Sequence, residues 1–313
     1  MNPKIVCIGG GTGLPNLLRG LKKYTCNITA IVTVADDGGS SGIIRDELKI
    51  PPPGDIKNCL LALADTEPLM ENLFQYRFAS GSFKGHSFGN IFLAAMTEML
   101  GDFELAIKES SKVLAVRGRV LPSTLDDVVL EAEYRDGSTV CGESNIPRAR
   151  REIRRIKIKP EDARPMEEAL EAVEKADAII LGPGSLYTSV IPNLLVKDIV
   201  KSISHSRAKK IYVVNIMTQP GETTGYTAYD HVSAVIEHSC RNLLEYVVIN
   251  SGKVPEKLLC RYLADGAEPV ICDSEKIKEI GYNVIEADIL NYTDVVRHSP
   301  EKLARVIMKI IKR

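Results

Sequence analysis

Apolar residues fall along this chain in short continuous runs separated by amphipathic stretches, the pattern of strands buried on both faces and helices buried on one. The first run, Lys4-Ile5-Val6-Cys7-Ile8, ends in Gly9-Gly10-Gly11-Thr12-Gly13 and leads into an amphipathic segment from Leu14 to Lys23. It predicts strand, glycine loop, helix. A second buried-type strand is predicted over 28–35, running into Asp36-Asp37-Gly38-Gly39-Ser40-Ser41-Gly42. Helical spacing then recurs over 56–66, 68–78, 88–100 and 102–113, with Pro68, Gly81 and Gly101 as breakers, and predicts a helical insertion.

Between 116 and 158 the period changes. The segment 130–134 alternates, Asp136-Gly137 is a hairpin pair, and 153–158 alternates apolar with basic residues, so a small antiparallel β excursion is expected there. The basic run 148–159 reads as a strand face whose long side chains lie along apolar surface. After a helix over 165–175, strand-like runs at 178–181, 211–216, 246–249, 269–272 and 283–287 alternate with helices. A last helix opens at Ser299-Pro300-Glu301, with serine as cap and proline at N1. The succession predicts an α/β fold, a doubly wound, mostly parallel Rossmann-like sheet, in one domain over 1–313 with an insertion at about 116–158.

Composition removes several functions. Lys and Arg total 40 against 41 Asp and Glu, a net charge of -1, so no global basic field draws nucleic acid or an anionic membrane, and anion recognition has to be local. The lack of Trp and the 5% aromatic content leave little surface for stacking the bases of a single strand. The seven cysteines are scattered without a C-x-x-C pair and predict reduced thiols, Cys7 and Cys272 acting as small hydrophobes in apolar runs, with no disulfide framework or zinc site. No apolar signal core opens the chain and no run approaches the ~18 residues of a membrane span, so a cytoplasmic protein without membrane insertion is expected.

Candidate chemistry lies in three strand-end loops. In the first, Gly10, Gly11, Thr12 and Gly13 open a helix whose backbone N–H groups favour an anion, and phosphate contact is preferred to a purely structural turn. Leu14 stands where a dinucleotide fingerprint needs its third glycine, and the Lys-Ser/Thr of a Walker loop is absent. In the second, Asp36 or Asp37 would hold Mg²⁺ against a diphosphate or bind a ribose hydroxyl, the other carboxylate capping the turn, while Gly38, Ser40 and Ser41 offer donors. The third, 182–189, presents Gly182, Gly184, Ser185, Thr188 and Ser189 to a phosphate or sugar hydroxyl. Such sheets bind ligands in a crevice at the carboxyl ends of their strands.

Two further loops, 52–58 and 85–90, each open a helix and would line the same crevice. Asp55, His86 and Asn90 are the groups to carry catalysis if the chain is an enzyme; His86 by itself reads first as a hydrogen-bonded loop histidine, and Asn90 is also a ligand contact. Asn215 and 218–223 end another strand, as substrate contacts or as a turn. Arg297 beside His298 meets a phosphate or is solvated, and Tyr262 stacks on a base or belongs to the core.

In this order, Gly-Gly-Gly-Thr-Gly (9–13), Val-Ala-Asp-Asp-Gly-Gly-Ser-Ser-Gly (34–42), Pro-Pro-Gly-Asp-Ile-Lys-Asn (52–58), Gly-His-Ser-Phe-Gly-Asn (85–90), Gly-Pro-Gly-Ser-Leu-Tyr-Thr-Ser (182–189) and Thr-Gln-Pro-Gly-Glu-Thr (218–223) resemble the YvcK family, the gluconeogenesis-factor branch of the CofD-like superfamily. The resemblance implies a CofD-like Rossmann-type fold and a cytoplasmic bacterial protein needed for normal cell shape on gluconeogenic carbon sources. It also implies binding of a nucleotide sugar such as UDP-N-acetylglucosamine, with a homo-oligomer and a cell-wall or cytoskeletal regulatory protein as candidate partners. The sister branch is the 2-phospho-L-lactate transferase, which uses Mg²⁺ and a guanylyl diphosphate donor with the deazaflavin Fo. Shared positions are the first glycine loop, Asp36 and Asp37, Gly182-Pro183, Thr188-Ser189 and Ala287-Asp288; the departures fall at 51–55 and 85–90. A Mg²⁺-dependent transferase is therefore the alternative, and an NAD-binding oxidoreductase the least supported one.

Overall fold

The computed structural model describes residues 2–65, 67–292 and 295–313. Strand β1 (Ile5–Gly9) leads into helix α1 (Gly13–Leu21), then β2 (Ile28–Val32), α2 (Gly39–Leu48), α3 (Gly54–Leu63), α4 (Pro68–Gln75), α5 (Phe88–Leu100) and α6 (Phe103–Val113). Four strands come next, β3 (Arg119–Pro122), β4 (Val129–Tyr134), β5 (Thr139–Cys141) and β6 (Ile153–Lys159), and then α7 (Glu167–Glu174) and β7 (Ala178–Leu181). A π-turn, Leu186–Val190, runs into α8 (Ile191–Leu195), α9 (Ile199–His205), β8 (Lys209–Val213) and α10 (Ala228–Glu237). The chain continues through β9 (Tyr246–Asn250), α11 (Glu256–Ala264), α12 (Ser274–Glu279), β10 (Asn283–Ala287), the hairpin β11 (Leu290–Tyr292) and β12 (Val296–His298), and α13 (Pro300–Ile311).

Among the described residues, seven strands form one parallel sheet in the order β10-β9-β8-β7-β1-β2-β3. Each central strand divides its residues between two cores: Ile5 and Cys7 face α1, α3, α6 and α13, while Val6 and Ile8 face α7, α8, α9, α10 and the small sheet. That double burial is why these strands read as continuous apolar runs. The small sheet, β5-β4-β6, is antiparallel and contributes Leu130, Ala132, Tyr134, Ile153, Ile156 and Ile158 to the second core. Its basic residues stay outside, Arg154 pairing with Glu133 at 2.9 Å and Lys159 with Glu131.

Several expectations need correction. The loop 36–42 is half helix, since α2 already begins at Gly39. The excursion starts later than 116, because β3 pairs in parallel with β2 and belongs to the main sheet. Residues 269–272 form no strand: they make isolated bridges from Pro269 to Met217 and from Ile271 to Thr227, and Ile271 is 63% exposed. With β9 and β10 paired directly, no slot remains for them in the sheet. Cys272 is accordingly exposed rather than core, whereas Cys7 is buried and all seven cysteines are free thiols. The helix over 56–66 ends at Leu63, and Thr66 lies outside the described residues.

Helix α1 buries Leu14, Leu17, Leu18 and Leu21, spaced for one face, and packs against α13. The contact requires glycine at position 20, where a Cβ would overlap the Pro300 carbonyl. Ser299 caps α13 as expected, accepting from Lys302 N at 3.4 Å, with Pro300 at N1. Gly20→Ala is therefore expected to push α13 off α1 and cost about 1–3 kcal/mol. Urea denaturation checks this, the midpoint falling with an unchanged slope.

Candidate functional site

Strand order reverses at β1, whose neighbours are β2 and β7, so the loops after β1 and β7 meet at the carboxyl edge of the sheet. They meet backbone to backbone. A Cβ at Gly13 would lie 2.5 Å from the Pro183 carbonyl oxygen, and one at Gly10 would lie 2.6 Å from Asp55 Oδ2 and 2.7 Å from Thr33 Cγ2. Gly11 adopts φ +61° and donates its N–H to Asp55 Oδ2 at 2.6 Å. Buried Asn193 spans the junction, its Nδ2 donating to the Gly9 carbonyl at 3.1 Å and the Ser189 carbonyl at 2.8 Å. The glycines serve the turn and the close approach together.

On one side of this junction lies a cleft of about 210 Å³, walled by Thr12, Gly13, Pro183, Gly184 and Ser185, by Asn215 to Gln219, and by Tyr262 and Arg297. Gln219 knits its floor, with Nε2 donating to Ser185 Oγ at 2.8 Å and Oε1 accepting from Asn215 Nδ2 at 3.4 Å. The Tyr262 ring packs with Ile216, Met217 and Leu290 while lining the cleft, and its hydroxyl accepts from Val296 N at 3.0 Å. Arg297 is exposed at the rim on β12. His298 turns inward instead, buried, its Nε2–H donating to the Val214 carbonyl at 3.1 Å, and burial holds its pKa down at about 4.

On the other side three helices begin together. Ser40 and Ser41 open α2, Asp55 opens α3, and Asn90 sits in the first turn of α5 behind its cap, Ser87. Asn90 Nδ2 donates to Ser40 Oγ at 3.2 Å and Ser41 Oγ at 3.4 Å, and Ser40 Oγ lies 3.2 Å from His86 Nδ1. Gly54 lets α3 close on α2, since a Cβ there would overlap Ser41 Oγ and come within 3.2 Å of Asp36 Oδ2. Lys57 is buried beneath, its Nζ donating to Ser87 Oγ at 3.5 Å, and burial, then the charge of Arg77, lowers its pKa.

Carboxylates gather around the junction. Asp36 Oδ1 accepts from Gly38 N at 2.9 Å, and Asp37 Oδ1 accepts from Ser144 N at 2.8 Å, which ties the turn after β5 to the site. That turn brings Glu143. Burial, then the charges of Asp36, Glu222, Asp37 and Asp55, push its pKa up to about 8. Burial likewise raises Glu222 to about 7, against the hydrogen bonds it accepts from Thr188 Oγ1 and Tyr187 N, both at 3.2 Å. Asp55 is raised to about 6, by burial first.

The structure thus brings Thr12, Gly13, Gly184, Ser185, Asn215, Tyr262 and Arg297 to one cleft, and Gly10, Gly11, Asp36, Ser40, Ser41, Asp55, His86 and Asn90 to its continuation. Gly38 caps α2 beside Asp36, and Ser189 is buried against Gly10 and Gly11. Gly182 supports β7 beside Val213, and Thr188 spends its hydroxyl on Glu222. Asp288 is held away by Lys302 at 2.7 Å. Sequence reasoning left out Glu143, Glu222, Lys57 and Asn193. Lys57 and Glu222 stand inside the quoted motifs 52–58 and 218–223, whereas Glu143 and Asn193 carry no local signal.

The family model described as 2-phospho-L-lactate transferase CofD matches residues 5–290. A protein of Bacillus subtilis named "Gluconeogenesis factor" is 51% identical over 312 residues, covering 99% of this chain and 98% of its own. One of the same name from Halalkalibacterium halodurans is 50% identical over 307 residues, covering 97% and 95%. A crystal structure of a UPF0052 family member from Bacillus halodurans superposes with a TM-score of 0.95 at 49% identity, covering 98% of this chain and 99% of that one.

The raised carboxylates give a test of the cluster that needs no ligand. A carboxyl raised in the folded protein stabilises it fully below its ordinary value, here 4.5, and that contribution is lost as pH rises through about 8. Glu143→Gln is expected to match the parent protein near pH 4.5 and to exceed it above pH 8, by about 2 °C or more in melting temperature at pH 9. Melting curves across that range check it; a constant offset at every pH would place Glu143 outside the cluster.

Proposed function

The chain belongs to the 2-phospho-L-lactate transferase CofD family, in its gluconeogenesis-factor branch, and on that footing we propose that its strand-end crevice binds a nucleotide sugar of the UDP-N-acetylglucosamine type. The observation that carries this reading is the cleft in which Tyr262 and Arg297 stand across from the start of α1. The ring of Tyr262 offers a face to a base, the backbone N–H groups of Thr12 and Gly13 and the helix dipole favour the diphosphate, and Arg297 pairs with it from the rim. In this role the protein is a cytoplasmic regulator of cell shape during gluconeogenic growth, acting through a cell-wall or cytoskeletal partner and as one domain, alone or as a homo-oligomer.

Mg²⁺ fits the site only in company with the ligand's phosphates. Among the described residues no group of three or more His, Cys, Asp or Glu is placed as a ligand set, and Mg²⁺ is commonly held by one or two carboxylates together with phosphate oxygens. Asp36 or Asp37, each with one oxygen on a backbone N–H, would supply that carboxylate or bind the ribose. Bound there, the ion would neutralise the diphosphate.

The carboxylates beside the glycine loop favour one second reading, a Mg²⁺-dependent transferase of the kind the family model names. Positioning and charge neutralisation would then do the work, with Asp55, His86 and Asn90 beside the reacting group. Turnover of a guanylyl-diphosphate-lactate donor with Fo and Mg²⁺ would establish that reading in place of the regulatory one.

Calorimetry with UDP-N-acetylglucosamine, GDP and NAD separates the classes. The UDP-sugar is expected to bind; Arg297→Ala should weaken it about 10- to 100-fold through loss of a charge-assisted contact, and Tyr262→Ala about tenfold or more through loss of stacking. Absence of UDP-sugar binding would sink the reading, and tight NAD binding would favour an oxidoreductase.

A further inference from the structure

The crevice does not end at the glycine loop. Beyond it, away from Tyr262 and Arg297, a line of neighbouring polar side chains, the second arm of the site, runs from Asp55 past Asp36 to the start of α2 and on to His86, linked by the contacts of Gly10, Gly54 and Ser40. Its walls are the half-buried side chains of Asp36, Asp55 and His86. Its floor is Ser40, Ser41 and Asn90, each at most 5% exposed. The arm also holds an unanswered polar atom. Asn90 Oδ1 is buried without a hydrogen-bond partner while its Nδ2 serves both serines, and turning the amide over would only strand the other end. A buried amide left half satisfied costs stability unless something completes it.

We infer that this second arm receives the sugar of the bound nucleotide sugar, and that it selects a neutral, hydroxyl-rich group over an anionic one. The inference rests on the nucleotide-sugar reading above and adds where the sugar lies and what reads it. The succession of contacts sets the order: base at Tyr262, diphosphate at the α1 start, and the next group past Gly10 and Gly11 beside Asp55 and Asp36. The walls set the chemistry. Asp36 and Asp55 accept hydrogen bonds and repel a carboxylate, so the occupant has to bring hydroxyl or amide donors. His86 and the serines supply the complementary donors, and Asn90 positions them from below through Ser40. A carboxylate-bearing group such as phospholactate would meet like charge here.

Calorimetry with three ligands on the intact protein tests this: UDP-N-acetylglucosamine, UDP and UDP-glucuronate. UDP-N-acetylglucosamine is expected to bind about tenfold or more tighter than UDP, and UDP-glucuronate no tighter than UDP. Asn90→Ala should shrink the ratio of UDP-N-acetylglucosamine to UDP affinity by about five- to tenfold. His86→Ala, at a half-buried loop position, should shrink the same ratio and keeps the test open if the buried variant fails to fold. Equal weakening of UDP and UDP-sugar by both variants, or UDP-glucuronate binding as tightly as UDP-N-acetylglucosamine, overturns the sugar assignment while leaving the nucleotide cleft standing. Failure of the unaltered protein to bind any of the three removes the nucleotide-sugar reading itself, and this arm's assignment with it.

Discussion

Where β1 turns into α1 the chain passes between a carboxylate and a carbonyl with no room for a side chain. Gly10 closes on Asp55 and Thr33, and Gly13 closes on the backbone of Pro183. That approach fixes the elements on both flanks. It sets α3 beside the loop, because Asp55 in the first turn of α3 accepts the Gly11 N–H. It sets the π-turn after β7 on the other flank, where Asn193 ties Gly9 to Ser189. A substituent at either glycine would force apart the elements that frame both arms of the crevice, so the loop is as much a hinge of the architecture as a cradle for an anion.

The same geometry creates an electrostatic balance. Four helix starts, those of α1, α2, α3 and α5, open on one crevice and bring their partial positive charges to it. Asp36, Asp37 and Asp55 answer that charge, each through a backbone N–H. Glu143 and Glu222 add two more carboxyls to the cluster, Glu222 accepting the Tyr187 N–H. Burial raises both toward neutrality, and for Glu143 the charges of Asp36, Glu222, Asp37 and Asp55 add to it, so the cluster sheds charge by taking up protons. In a protein with a net charge of -1, an anion bound here would be met by the rim arginine Arg297 and by helix starts and not by a basic surface.

How much of this was legible in the sequence depends on which forces act locally. Strands buried on both faces announce themselves as apolar runs, and α1, α5, α6 and α13 announce themselves by period or by caps. Helix α2 could not be read that way. Gly38-Gly39-Ser40-Ser41-Gly42 has poor helix propensity, and the turn forms because Gly42 packs directly over the Asp37 carbonyl. The segment 269–272 failed in the opposite sense, having a strand's pattern but no neighbouring strand. At the site, Asn215 was legible at a strand end, Tyr262 as an aromatic on a helix and Arg297 as a charge just before the last helix, though their convergence was not. Glu143 was illegible because its turn reaches the crevice only through tertiary packing, Ser144 meeting Asp37 across a separation of 107 residues. The two adjacent aspartates also have different surroundings. Asp36 closes its own turn and faces Gly54, whereas Asp37 reaches across to the turn of the small sheet.

The departures from the transferase pattern acquire a location in the fold. The segments 51–55 and 85–90, where this chain differs from that branch, lead into α3 and α5, and those two helix starts build the second arm. The positions shared with that branch are mostly elsewhere, in the glycine loop, in Asp36 and Asp37, and around 182–189. On the nucleotide-sugar proposal, diphosphate contacts shared with that branch and a rebuilt far arm would change what lies beyond the diphosphate while retaining the nucleotide. Such a change would leave the sheet untouched, since the arm is made of helix beginnings whose side chains can be exchanged while the glycine contacts hold them in place. The turn after β5 meanwhile delivers Glu143 and Ser144 to the same carboxylate cluster, so the small antiparallel sheet contributes to the site instead of standing apart from it.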